Sequence, residues 1–136
     1  MSAAVRIEDV EIGLDLPELA PDVSMARVRR FAGSAGMLTA RFTDHEGAKK
    51  QGLPGAIVPG IMSQALLAAL IHRWAPGARI ERIDTVFRAP ILVDSSPVCR
   101  GVVTDVDPGE RRLHVDLTIA NEAGESRVIG TATVHL

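Results

Sequence analysis

Between Pro59 and Trp74 one segment constrains the fold more than any other. After Pro59-Gly60 the chain runs apolar from Ile61 to Ile71, interrupted only by Ser63 and Gln64. Proline suits the first turn of a helix, and Ala75-Pro76-Gly77 stops one, so the spacing predicts a helix over 59–74. A helix apolar on nearly every side cannot lie on a wet surface, so the rest of the chain has to wrap it. The longest apolar run, Gly55 to Ile71, contains Pro59, Ser63 and Gln64 and is shorter than the roughly 20 residues that cross a bilayer. It is read as a core element, and no membrane partner is expected.

The wrapper follows in strand-like runs. Arg79 to Ala89 alternates through Ile83, Thr85 and Phe87, and Pro97 to Val106 is rich in Val. Leu113, Val115, Leu117 and Ile119 alternate with His114, Asp116 and Thr118, and Val128, Gly130, Ala132, Val134 and Leu136 share one phase near the end. Asp107-Pro108-Gly109 and Asn121-Glu122-Ala123-Gly124 are turn-forming, which predicts an antiparallel meander for the last three strands. Upstream, Ser24 is the expected N-cap of a short helix that buries Val28 and Phe31, turns Arg27, Arg29 and Arg30 to solvent, and loosens at Gly33 and Gly36. Gly36 to Phe42 reads as loop, and a second short helix begins near Asp44 and stops at Gly52-Leu53-Pro54.

With 136 residues, the whole chain, 1–136, is expected to be one domain. The fold class is α+β: a curved antiparallel sheet around one long buried helix. Such a sheet leaves edges unpaired, so dimerisation through them is expected. Composition excludes several functions. The aromatic residues are Phe31, Phe42, Phe87 and Trp74, without any Tyr, and 15 Lys+Arg balance 17 Asp+Glu, so nucleic acid is not an expected partner. One cysteine, Cys99, supports no internal disulfide and no multi-cysteine metal site, no metal-ligand spacing occurs, and no cofactor is called for. Arg6, Glu8 and Asp9 interrupt the start of MSAAVRIEDVEIG where an export signal would be apolar, so a reducing cytoplasm is the expected location.

The stretch from Phe31 to Asp44, FAGSAGMLTARFTD, followed by Ala48, Gly52 and Ile57-Val-Pro-Gly-Ile-Met62, resembles the hydratase segment of MaoC-like (R)-specific enoyl-CoA hydratases and 3-hydroxyacyl dehydratases. That family reads approximately F-x-x-x-S-G-D-x-N-P-x-H-x-D, then A, G and I-x-H-G-M. Its Asp and its H-G glycine are spaced like Met37 and Gly60 here, without a gap. Phe87-Arg-Ala-Pro90 is similar to the family's F-x-x-P-V strand, and Gly130-Thr-Ala-Thr-Val134 to its closing strand. The resemblance implies the hotdog fold, an acyl-CoA or carrier-bound acyl thioester as ligand, and a homodimer or a heterodimer with another hotdog chain.

In that family an Asp and a His activate the water that adds across an enoyl thioester, and a backbone amide at the H-G turn stabilises the enolate oxygen. Here Met37 takes the position of the Asp, Phe42 the His, Thr39 the Asn, Ala40 the Pro and Pro59 the His of H-G. Neither Met nor Phe moves a proton, so the usual dyad cannot operate on this chain alone. What survives is the amide of Gly60, with Ile61, at a helix start. Met37, Thr39, Phe42, Pro59, Ser63 and Gln64 are the expected pocket lining, with Ser63 and Gln64 facing either the pocket or a partner chain. Asp44 and His45 are the candidates for a displaced acid or base. The competing reading makes Asp44 an N-cap and places His45 on a solvated face beside Glu46, Lys49 and Lys50. Arg88 is a candidate contact for a phosphate of coenzyme A, or else a surface ion pair. His72 suits a helix C-terminus, His114 and His135 fall on polar strand phases, and Cys99 is read as a buried structural thiol.

Three functions stay open at this point. One is a subunit without its own dyad that pairs with a catalytic hotdog chain. The second is a self-sufficient hydratase or dehydratase acting on an acyl-thioester or polyketide-like substrate through non-standard residues. The third is a binding or scaffold protein without chemistry.

Overall fold

The computed structural model describes residues 4–136, so residues 1–3 lie outside the described residues. Four helices precede four strands. They are α1 (Met25–Ala35), α2 (Ala40–Thr43), α3 (His45–Lys50), α4 (Gly60–Trp74), β1 (Arg79–Phe87), β2 (Val98–Asp107), β3 (Arg112–Ala120) and β4 (Ser126–His135), and a 3-10 turn at Ile7–Asp9 comes before α1. The strands form one antiparallel sheet in the order β1-β4-β3-β2. The expected meander is therefore β2-β3-β4, and its last strand, β4, comes to lie beside β1.

Helix α4 packs across β1, β2 and β3. Leu67, Leu70 and Ile71 on its inner side meet Leu113, Val115, Leu117 and Ile119 of β3 and Val128 and Val134 of β4 in one buried cluster. Burial is incomplete on the other side: Ile61 is 58% exposed, so the chain itself leaves part of this apolar helix uncovered. The two sheet edges differ. Along β2 the amides of Gly13, Leu16 and Leu19 donate to the carbonyls of Val103, Gly101 and Cys99, so the N-terminal segment closes that edge. Among the described residues nothing pairs with the outer edge of β1. The two-edge expectation is thus corrected to a single open edge.

Local chemistry fixes the shorter helices. The Ser24 hydroxyl accepts from the Arg27 amide and caps α1, while Gly36, at φ 70°, terminates it in the left-handed conformation. Gly33 continues the helix and does not loosen it. The predicted Gly36–Phe42 loop ends early, because Thr39 starts the single turn of α2, its carbonyl accepting from the Phe42 and Thr43 amides and from the Thr43 hydroxyl. Strand β1 also departs from simple alternation. A bulge between Ile80 and Arg82 shifts its register, and Phe87, in phase with Ile83 and Thr85, is 53% exposed. Cys99 is fully buried, and burial pushes its thiol up to about 12.

Candidate acyl-binding site

At its N-terminus α4 borders a cleft of about 390 Å³. Depressions of similar volume lie elsewhere on the surface, and one of them also sets two arginines, Arg27 and Arg30, beside apolar walls; this one is set apart by holding the Phe42 and Gly60 positions of the motif. Arg41 and Phe42 come from α2, Ile57 and Val58 from the strand-like segment before α4, and Gly60 and Ser63 from α4 itself. The opposite wall runs from Phe87 at the end of β1 through Arg88, Ala89 and Pro90 to Ile91, with Val128 of β4 behind it. Backbone pairing holds these pieces in register. The Ile57 amide donates to the Arg41 carbonyl (2.8 Å), the Val58 amide to the Ile91 carbonyl (2.8 Å), and the Arg88 and Ala89 amides both reach the Arg127 carbonyl (2.8 and 3.1 Å).

Glycine at position 60 has a steric reason. A Cβ there would sit 3.2 Å from Cζ of Phe87, so the ring can lie against the helix start only because no side chain intervenes. The start is also uncapped: Pro59 gives no side-chain bond, and among the described residues the amides of Gly60, Ile61 and Met62 donate to no protein acceptor. Unpaired amides at the positive end of a 15-residue helix are suited to an oxyanion or other anionic group. Ser63 is 2% exposed, with its hydroxyl 3.5 Å from the Pro59 carbonyl.

Several residues expected at the site are placed elsewhere. Met37, Thr39, Pro59 and Gln64 do not line this cleft. The Met37 amide closes the end of α1 on Ala32 (2.7 Å), Thr39 starts α2, and the Gln64 amide donates to the Thr85 hydroxyl (3.1 Å), tying α4 to β1. Asp44 caps α3 by accepting from the Glu46 amide at 3.1 Å. His45 is only partly exposed and has both ring nitrogens engaged. Its Nδ1 accepts from the Ala56 amide (3.0 Å), so the proton resides on Nε2, which donates to the Asp94 carboxylate (2.8 Å). The His45 bond, followed by the amide of Met25, holds the Asp94 carboxyl below its ordinary value. His45 thereby joins α3, the segment before α4 and the loop after Ile91.

Of the expected lining, then, Phe42, Gly60, Ser63 and Arg88 converge. Arg41 was missed, although it lies in the same helical turn as Phe42, at a variable position of the motif. Neither Arg41 nor Arg88 forms an ion pair among the described residues. The cleft lining contains no Asp, Glu, His, Cys, Lys or Tyr. Its polar residues are Arg41, Arg88 and Ser63, beside the unpaired amides at the start of α4.

A sequence model of the MaoC like domain matches residues 17–124. The chain belongs to the MaoC-like family. Solved MaoC-like structures carry the same fold. An (R)-hydratase from A. caviae involved in PHA biosynthesis superposes with a TM-score of 0.89 at 21% identity, covering 95% of this chain and 98% of that one. A chain of the ChsH1-ChsH2 complex from Mycobacterium tuberculosis gives 0.84 at 21% identity, covering 93% and 98%. A further MaoC-like dehydratase gives 0.89 at 26% identity, with 98% of this chain matching 42% of a longer one. Comparison with curated proteins finds no match. Within the MaoC-like hotdog frame, Phe42 and Gly60 meet at one cleft, whereas Met37 stands outside it.

Proposed function

We propose that this MaoC-like chain binds an acyl thioester and acts as the subunit without an Asp/His dyad in a pair with a catalytic hotdog chain. The observation that carries this reading is the cleft itself, whose walls are mainly apolar and whose lining includes no group able to take or give a proton near neutral pH. Addition of water to an enoyl thioester needs both a base for the water and an acid for the α-carbon. Gly60 and Ile61 supply, in this reading, only the amide end of such a site, toward the thioester oxygen.

A need for a second chain is supported by the surface. Ile61, Val86 and Phe87 are 58%, 59% and 53% exposed; Val86 and Phe87 belong to the open edge strand β1, and Ile61 follows Gly60, which lies against the Phe87 ring. An unpaired strand edge next to exposed large apolar side chains is the kind of surface that another chain covers. The likeness to one chain of a two-component complex is compatible with an unequal pair. Hydration by this chain alone through Asp44 or His45 is the competing reading, and it would have to move both groups out of their present hydrogen bonds and into the cleft.

The test is co-expression with a neighbouring hydratase-like open reading frame, with enoyl-CoA hydration followed for each chain and for the complex. A stable complex whose activity exceeds that of either chain by about a hundredfold or more is expected. Hydration of crotonyl-CoA or a longer enoyl-CoA by the purified chain at a comparable rate would refute the proposal.

A further inference from the structure

We infer that this chain associates with a second copy of itself through a surface separate from the edge of β1. The turn at Glu11–Leu14 of one copy seats Ile12 in the groove between α1 and α4 of the other, with Glu11 and Asp15 against Arg27 and Arg30. The contact is reciprocal, each copy giving one turn and one groove. It lies outside the cleft at the start of α4 and does not rest on the function proposed for that cleft.

Charge is divided unevenly along the chain. Residues 4–22 hold six carboxylates against Arg6 alone, whereas residues 23–74, which build the four α-helices, hold seven Lys and Arg against Asp44 and Glu46. The acidic segment runs along β2 and ends in a rigid tip. Its Gly13 amide donates to the Val103 carbonyl (2.8 Å), the Val103 amide to the Leu14 carbonyl (2.9 Å), and the Leu14 amide to the Glu11 carbonyl (3.1 Å). Gly13, at φ 92°, supplies the left-handed backbone that this turn needs. At the tip Ile12 is 68% exposed, the most of any large apolar side chain among the described residues. Glu11 and Asp15 flank it, both exposed and both without an ion pair among the described residues.

The groove is opposite in charge. Met62, Ala65, Leu66 and Ala69 recur at helical spacing on one side of α4, and with Phe31 of α1 they floor two adjoining depressions that share Arg27 and Leu66. Arg30 borders the first depression and Arg73 the second. None of these three arginines forms an ion pair among the described residues. Asp22, which borders the second depression, accepts from the Ser24 amide (2.9 Å). The first depression, of about 400 Å³, has room for an isoleucine side chain beside the arginines.

An exposed isoleucine between two carboxylates and an apolar floor beside two arginines match in both respects. Burying Ile12 there removes apolar surface from water, and the charges at the rim set the orientation. From the turn the same segment runs on to Leu19 and Asp22, which border the groove beside Arg73, so turn and groove share a continuous surface that one two-fold axis can use twice. A second copy is the occupant that supplies both halves of the match.

The experiment is sedimentation of the full chain over a concentration series at about 50 mM and about 500 mM salt. The parent is compared with Ile12→Ser, with the groove variant Arg27→Glu, Arg30→Glu, and with the turn variant Glu11→Lys, Asp15→Lys, each checked by thermal unfolding. The parent is expected to reach twice the mass of any variant, with association at least about tenfold weaker at the higher salt. Each charge reversal alone sets like charges against each other, whereas an equimolar mixture of the two restores both contacts, so the mixture should regain the parent's mass. Should either reversal unfold the chain, Arg27→Gln, Arg30→Gln and Glu11→Gln, Asp15→Gln take its place, with loss of the salt dependence as the readout. Variants with the parent's mass at every salt concentration overturn the inference and leave pairing through β1 untouched. Variants that dissociate without rescue in the mixture overturn the match of these two surfaces. If the parent does not self-associate and the groove variant instead loses a co-expressed hydratase-like chain, the groove belongs to that chain and the inference falls.

Discussion

His45→Ala separates a structural histidine from a catalytic one. In the folded chain Nδ1 of His45 is the acceptor for the Ala56 amide, and Ala56 is fully buried. Truncation leaves that amide without its partner, which costs about 1–3 kcal/mol for a buried donor. The imidazole also rests against Gly55, where an added Cβ would lie 3.0 Å from Nδ1, so its removal opens space as well. Because the side chain is 37% exposed, water can enter and recover part of the loss, which puts the expected cost near 2 kcal/mol. For a domain of this size that is roughly 6–10 °C in Tm, at about 3–5 °C per kcal/mol. The assay is thermal unfolding followed by circular dichroism, with acyl-CoA affinity measured well below the variant's Tm. Lower Tm with unchanged affinity is the expected result. A Tm within about 1 °C of the parent, or an intact Tm with affinity or turnover lost by about a hundredfold, would refute a structural role and place the ring in the chemistry.

Three further outcomes follow from the same structure. The folded Asp94 carboxyl is held below its ordinary 3.8, first by His45 and then by the Met25 amide, so its contribution is present above that value and is lost as pH falls through the folded pKa. Asp94→Ala should therefore flatten the acid limb of a Tm-against-pH curve below about pH 4, and an unchanged limb would count against this bond network. With its thiol pushed up to about 12 and fully buried, Cys99 should resist iodoacetamide at about pH 8 in the folded chain and react in denaturant, as followed by mass spectrometry. At Gly130 an added Cβ would lie 2.5 Å from the Asp84 carbonyl oxygen of β1, so Gly130→Ala must part β1 from β4 at a cost of about 1–3 kcal/mol, read as a lower denaturation midpoint. A neutral substitution there would show the two strands to be less closely apposed.

Much of the fold is legible without coordinates because it rests on local rules. The apolar run after Pro59, the alternation in β3 and β4, the turns at Asp107-Pro108-Gly109 and Asn121–Gly124, and the caps at Ser24 and Asp44 all depend on residues close in sequence. The site is less legible because its walls come from segments far apart in the chain. Phe42 and Gly60 can be placed by motif spacing, but Arg41 looks like any exposed arginine until α2 turns it toward the wall after β1. Met37, expected in the lining, stays at the end of α1, since its amide bonds back to Ala32. His45 reads locally as a residue on a solvated helix face, and its partner Asp94 is 49 positions away.

By itself the sequence determined that one apolar helix would be wrapped by an antiparallel sheet and that Met37 and Phe42 stand where the motif it resembles has Asp and His. Both are statements about residue types and spacing, which local propensity and motif register carry directly. Only the tertiary structure decided that, among the described residues, the cleft gathers two arginines without ion pairs and no proton-transfer group, and one sheet edge stays open. Those properties depend on which distant side chains share a surface, and that is fixed by strand order and by the N-terminal segment lying along β2.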